Sequence, residues 1–153
     1  MQQIFIKFYR MKRTFFLLAL LAAIPLFSQQ WVYDYDQALK LAREGNKKII
    51  LVFSGSDWCA PCIKLERDIW NNPQFRAHAK DHYVMLRADF PRKKKNQLPP
   101  EQRKKNEQLA EKFNPQGYFP LIVILSPDGK VLGKTGYDSK KTPADYIALF
   151  DSL

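Results

Sequence analysis

Cys59 and Cys62 are the only two cysteines in the chain, and they stand two residues apart in Trp58-Cys59-Ala60-Pro61-Cys62. A thiol pair at this spacing can cycle between dithiol and disulfide, and its setting points to that use. Directly upstream, Ile49-Ile50-Leu51-Val52-Phe53 is a continuous apolar run, the mark of a strand buried on both faces. Gly55-Ser56-Asp57 then reads as a loop, and a helix is expected from about Cys59 to Trp70. The first cysteine would lie at the helix N-terminus, facing unpaired backbone N–H groups and the positive end of the helix dipole. Such placement lowers a thiol pKa from about 8.5 into a range of roughly 3.5–7.5. Cys59 is therefore expected to be the exposed nucleophile that forms a mixed disulfide. Cys62, nearly one turn further on and more buried, would resolve it. Pro61 helps start the helix, and Trp58 would set an apolar wall against the sulfurs.

Two other uses of the same residues stand beside this one. The spacing Cys59-x2-Cys62-x15-His78-x3-His82 falls within reach of a Cys2His2 zinc site. A zinc finger needs a small hairpin before its helix, whereas Cys59 follows a buried strand, so the favoured reading has no metal and leaves the histidines solvated on a short surface helix. The pair could also be an inert staple in a redox-silent binding module. A loop this short gains little from cross-linking, which favours the reactive reading.

The elements that must position the cysteines alternate along the chain. Tyr35 to Arg43 has helical apolar spacing and is closed by Gly45-Asn46. After the cysteine helix, a short helix is expected from Pro73 to about Lys80, and a strand from Tyr83 to Asp89. Residues 90–100 form a basic, proline-punctuated loop containing Arg92-Lys93-Lys94-Lys95. A helix follows over Glu101 to Phe113, then strands at Leu121 to Leu125 and Lys130 to Thr135 around a Ser126-Pro127-Asp128-Gly129 turn. Thr142-Pro143 caps a last helix reaching Asp151. Trp31, Tyr33 and Tyr35 are expected to pack the first helix against the sheet, and Trp70 to pack the end of the cysteine helix. This order implies an α/β fold with a mixed β-sheet flanked by helices.

The strand before the cysteines, Trp58 ahead of them, Pro61 between them and Phe119-Pro120 ahead of a later strand together resemble the thioredoxin-like family. The resemblance covers about Trp31 to Leu153. It implies a cis-proline at Pro120 beside the active disulfide, with the backbone of Phe119 pairing with bound substrate. More narrowly, Phe53 to Cys59 together with Asp89-Phe90-Pro91-Arg92 looks like a branch of exported bacterial thioredoxin-like proteins. Ala60-Pro61 resembles the reducing members of the family. The resemblance thus implies thiol–disulfide exchange with protein substrates, no cofactor beyond the cysteine pair, and an electron donor or acceptor encoded elsewhere. The family's buried strand acid falls at Phe53. Its partner lysine falls at Met85 if Asp89 matches the strand-end Asp, so Asp57 or water is expected to handle protons instead.

The N-terminus reads as a targeting segment. Lys12-Arg13 precedes an almost wholly apolar run from Thr14 to Leu26, and Ser28 is a small residue suited to cleavage. Residues 1–28 are read as a signal peptide, with Met11 an alternative start and an uncleaved membrane anchor the rival reading, and residues 29–153 as a thioredoxin-like domain. That places the protein outside the cytoplasm, in the periplasm or secreted. The net charge is +10, of which Lys7, Arg10, Lys12 and Arg13 contribute four, leaving +6 beyond residue 28. An excess of that size does not indicate nucleic-acid binding. Arg92 to Lys95 with Arg103-Lys104-Lys105 is read as a solvated face or a docking surface for an acidic partner or membrane.

Overall fold

The computed structural model describes residues 30–153. The signal-peptide reading of residues 1–28 lies outside the described residues. The elements in order are β1 (Trp31–Val32), α1 (Tyr35–Gly45), β2 (Lys48–Ser54), α2 (Ala60–Leu65), a π-helical turn (Glu66–Trp70), α3 (Pro73–His82), β3 (Tyr83–Asp89), a 3-10 turn (Lys94–Asn96), α4 (Pro100–Phe113), β4 (Leu121–Leu125), β5 (Val131–Thr135) and α5 (Pro143–Asp151).

The strands form one five-stranded sheet in the order β1-β3-β2-β4-β5. β1, β3 and β2 run parallel, while β4 runs antiparallel to β2 and to β5. β2 therefore lies at the centre, and its alternate residues feed two cores. Ile49, Leu51 and Phe53 join Leu86, Ala88, Leu121 and Val123 under α1 and α4. Ile50 and Val52 join Met85, Ile122 and Ile124 under α2, α3 and α5. A strand buried on both faces has no polar side, which is why its sequence shows no alternation.

Local groups set the ends of the elements. Asp34 caps α1 by accepting the Gln37 N–H, and Asn46 closes it in the left-handed region at φ 48°. Lys105 reaches Asp34 at 2.9 Å. The cap hydrogen bond, followed by this lysine, holds the Asp34 carboxyl below its ordinary range. Thr142 and Asp145 form a reciprocal capping box on α5. Gly129 turns the β4–β5 hairpin at φ 80°, its N–H donating to the Ser126 carbonyl.

Two expectations need correction. Trp31 is not on the α1 side of the sheet. It belongs to the edge strand β1, where a two-residue run shows too little periodicity to be read as a strand. Its ring meets Trp70 edge-on at 6.2 Å and lies under the Arg87 guanidinium at 3.8 Å. Tyr33 is exposed, and of the three only Tyr35 joins the α1 core, against Phe113 of α4. The cysteine helix also changes character midway. From Glu66 it widens into a π turn, with the Asn71 N–H reaching the Glu66 carbonyl. The wider turn lets Leu65, Ile69 and Trp70 all point into the core.

Trp70 is 1% exposed and sits among Trp31, Phe75, Tyr146 and Phe150. It joins elements from four parts of the chain. Trp70→Ala should cost about 3–5 kcal/mol of stability. Urea unfolding checks this, and a loss under about 1 kcal/mol would deny Trp70 that central role.

Candidate active site

Three segments meet at one end of the sheet because of strand register. β2 leaves the sheet at Ser54, which pairs with Asp89 at the end of parallel β3. Antiparallel β4 enters at Leu121, opposite Phe53. The cysteine loop after Ser54, the basic loop after Asp89 and the Phe119-Pro120 turn before Leu121 thus converge at the C-terminal edge of β2. The Phe119-Pro120 bond is cis.

The cysteine loop closes on Gly55, whose carbonyl accepts the N–H groups of Trp58 and Cys59 at 3.2 and 2.9 Å. Only glycine fits there, since a Cβ would lie 2.3 Å from the Trp58 indole. Cys59 is the N-cap of α2, with Pro61 in the first turn, and its Sγ accepts the Cys62 N–H at 3.3 Å. Cys59 and Cys62 are joined as a disulfide, their Cα atoms 5.2 Å apart. The expected contrast in exposure is absent, as each cysteine is 4% exposed. Pro61 remains exposed and faces a groove of about 420 Å³ shared with Tyr118, Phe119, Pro120 and Tyr137.

Trp58 is the meeting point of the three segments. Its Nε1 donates to the Phe90 carbonyl at 2.7 Å, and the Arg92 guanidinium lies 3.7 Å above its ring. Phe119 packs edge-on against it at 5.4 Å, and Phe90 packs on Phe119 in turn. Two carboxylates hold this arrangement. Asp89 accepts the Ser56 N–H and hydroxyl at 2.9 and 2.6 Å. Asp57 accepts the backbone N–H groups of Arg92 and Lys93 and the Asn96 side-chain amide, at 2.9, 3.0 and 2.9 Å. The Arg92 N–H holds the Asp57 carboxyl below its ordinary range, helped by Asn96 and Lys93. A carboxylate stabilised in its charged form by several donors is a weak proton acceptor. Asp57 is placed here as a brace for the basic loop.

Phe53, at the position of the family's strand acid, is fully buried beside Ala88 and Leu121. Met85 does not face it. Met85 pairs with Ile50 and belongs to the opposite core, so the strand-end alignment put the partner position on the wrong face. On the side of Phe53, β3 presents Leu86 and Ala88, both buried and apolar. No charged pair spans this point. His78 and His82 lie on α3 with rings stacked 3.9 Å apart, and His78 binds Asp151 of α5. They do not converge with the cysteines. Among the described residues no three His, Cys, Asp or Glu side chains are gathered as metal ligands.

Sequence reading missed two positioning residues. Arg92 was grouped with the lysines after it, and nothing in the sequence paired it with Trp58. Asn114 is the residue just past the end of α4. It is 3% exposed, and its side-chain amide takes both the N–H and the carbonyl of Tyr118 at 2.9 Å each. That clamp, with Gly117 at φ 70°, fixes the turn that delivers Phe119-Pro120.

A family model described as thioredoxin-like matches residues 30–127. The chain belongs to the thioredoxin-like family. Among its relatives is a protein named disulfide bond reductase DsbH from Chlamydia pneumoniae, 38% identical over 109 residues, covering 71% of this chain and 63% of that protein. A thioredoxin-related protein, DsbJ, from the same organism is 28% identical over 123 residues, covering 80% of this chain and 34% of that one. The chain thus spans less than two thirds of the length of either relative. A solved structure described as a DsbH oxidoreductase has a TM-score of 0.73 and 34% identity, covering 87% of this chain and 90% of that one. A thioredoxin from Thermus thermophilus shares the fold, with a TM-score of 0.59 at 17% identity, covering 82% of this chain and 86% of that one.

The thioredoxin-like site rests on its braces, which gives two tests. Asp57→Ala frees the loop carrying Arg92 to Lys95, so trypsin should cut there about tenfold faster than in the unaltered protein. Unchanged cleavage would deny Asp57 its bracing role. Asn114→Ala leaves both backbone groups of Tyr118 unpaired and should lower stability by about 1–3 kcal/mol in urea unfolding. An unchanged midpoint would deny the clamp.

Proposed function

We propose that this chain is a disulfide bond reductase acting on protein disulfides outside the cytoplasm, with Cys59 as nucleophile and Cys62 as resolving thiol. The observation that carries this reading is a joined cysteine pair at the start of α2 in a chain 38% identical to a disulfide bond reductase. The exported location rests on the basic and apolar order of Lys12 to Ser28.

In the reduced protein, the Cys59 thiolate is stabilised by the Cys62 N–H and the positive end of α2. It attacks one sulfur of a substrate disulfide. A bond forms between Cys59 Sγ and that sulfur, the substrate S–S bond breaks, and the departing substrate thiolate takes a proton from water. Cys62 then loses its proton and attacks Cys59 Sγ. The Cys59–Cys62 bond forms, the mixed disulfide breaks, and the second substrate thiol leaves. Two electrons have passed to substrate. A dithiol donor encoded elsewhere must return two electrons for the next cycle.

Phe53 supplies no carboxylate to accept the Cys62 proton, and Asp57 is engaged with the basic loop. Water is left as the acceptor. The groove shared by Pro61, Phe119 and Pro120 is the surface on which an extended substrate segment would lie. The trapping pattern tests the assignment of roles. Cys62→Ser should accumulate mixed disulfides with substrate proteins, seen as bands that collapse on reduction, and Cys59→Ser should not. The reverse pattern would overturn the assignment. Insulin reduction by the unaltered protein no faster than by Cys59→Ser, with no mixed disulfide trapped by Cys62→Ser, would point to the redox-silent module.

A further inference from the structure

A second recess, of about 450 Å³, is lined by Trp58 and shares Phe119 with the Pro61 groove. Its lining includes Trp58, Phe90, Leu98 and Phe119, with cations from Arg92 and Arg103 and a carboxylate from Asp89 that Ser56 already engages. Both arginines are exposed, and neither forms an ion pair with a carboxylate among the described residues. Glu107 also lines the recess, one turn after Arg103 on α4, but does not pair with it. Lys93, Lys94 and Lys95 continue the positive charge along the loop, likewise exposed and without ion pairs among the described residues.

We infer that this recess is a substrate subsite, taking an apolar side chain of a protein segment whose neighbouring residues are acidic. The inference rests on the reductase reading and adds the class of substrate. Trp58 and Phe119 pack on each other in this recess, and Trp58 directly precedes Cys59, so a segment bound here meets the loop that carries the disulfide. Guanidinium groups present forked donors that match carboxylates, and two unpaired ones at the edge of an apolar floor select against basic neighbours. The Asp57 brace keeps Arg92 over the Trp58 ring, so the charge is fixed in place before substrate arrives. A lipid surface could meet the lysines but offers no single side chain for the recess.

Stopped-flow reduction of cyclic peptide disulfides by the reduced chain tests this. Three peptides differ only in the residues beside one half-cystine: Phe-Glu-Glu, Phe-Ser-Ser or Phe-Lys-Lys. Neutral hydroxyethyl disulfide serves as a reference. The acidic peptide should react about tenfold faster than the neutral one, and the basic peptide slower still, because rim charges act chiefly on association. The preference should shrink in about 0.5 M salt. It should fall to near parity in the Arg92→Ser, Arg103→Ser double variant. Equal rates for all three peptides, or a preference that survives in the double variant, would overturn the subsite and leave the reductase reading standing. Binding of the chain to anionic vesicles together with equal peptide rates would assign the basic face to a membrane and overturn it too. Failure to reduce any peptide or the neutral reference would overturn both.

Discussion

Burial of β2 on both faces is the constraint from which the rest of the site follows. Its side chains supply the middle of two cores, so it cannot slide or turn over without exposing one of them. Its neighbours are bound to it in fixed register, parallel on one side and antiparallel on the other. The end of one strand, the end of a second and the start of a third therefore arrive together. The register of backbone pairing alone suffices to bring the cysteines, the basic loop and the cis-Pro turn to one end of the sheet.

The polar groups around the disulfide serve mainly to hold loops. Asp89 grips Ser56, Asp57 grips the loop beyond Asp89, and Asn114 grips Tyr118. Each acts on backbone N–H or carbonyl groups that a loop would otherwise leave to water. Trp58 then ties the three held loops together through one hydrogen bond, one ring contact and one stacked guanidinium. The strand beneath contributes only Phe53, with Ala88 and Leu121 beside it. The braced loops thus sit above a floor that is apolar at Phe53, Ala88 and Leu121.

The far end of the cysteine helix is anchored by different means. The π turn from Glu66 to Trp70 brings Leu65, Ile69 and Trp70 onto the same core. Trp70 then packs among rings from β1, α3 and α5. Glu66, at the start of that turn, pairs with Arg87 of β3, whose guanidinium also covers Trp31. α2 thus carries the cysteine pair at one end, while its other end is buried and tied to the sheet by the Glu66–Arg87 ion pair.

Local physics made much of this legible in the sequence. The apolar run of Ile49 to Phe53, the helix stop at Gly45-Asn46, the cap at Thr142, the Gly129 turn and the placement of Cys59 ahead of a helix all depend on neighbours within a few residues. The cis bond at Pro120 was expected from the resemblance to a family, not from spacing. Whatever depends on register or on contacts between distant segments could not be read. The short strand β1 owes its existence to β3, Arg92 reaches Trp58 only because Asp57 turns the loop, and Met85 faces away from Phe53 because pairing sets parity. The equal burial of the two cysteines is likewise a property of the assembled fold. The sequence by itself determined which residues could do the chemistry and which elements would carry them. Tertiary pairing alone decided which distant groups hold those residues in place, because a contact between remote segments exists only once the sheet has assembled.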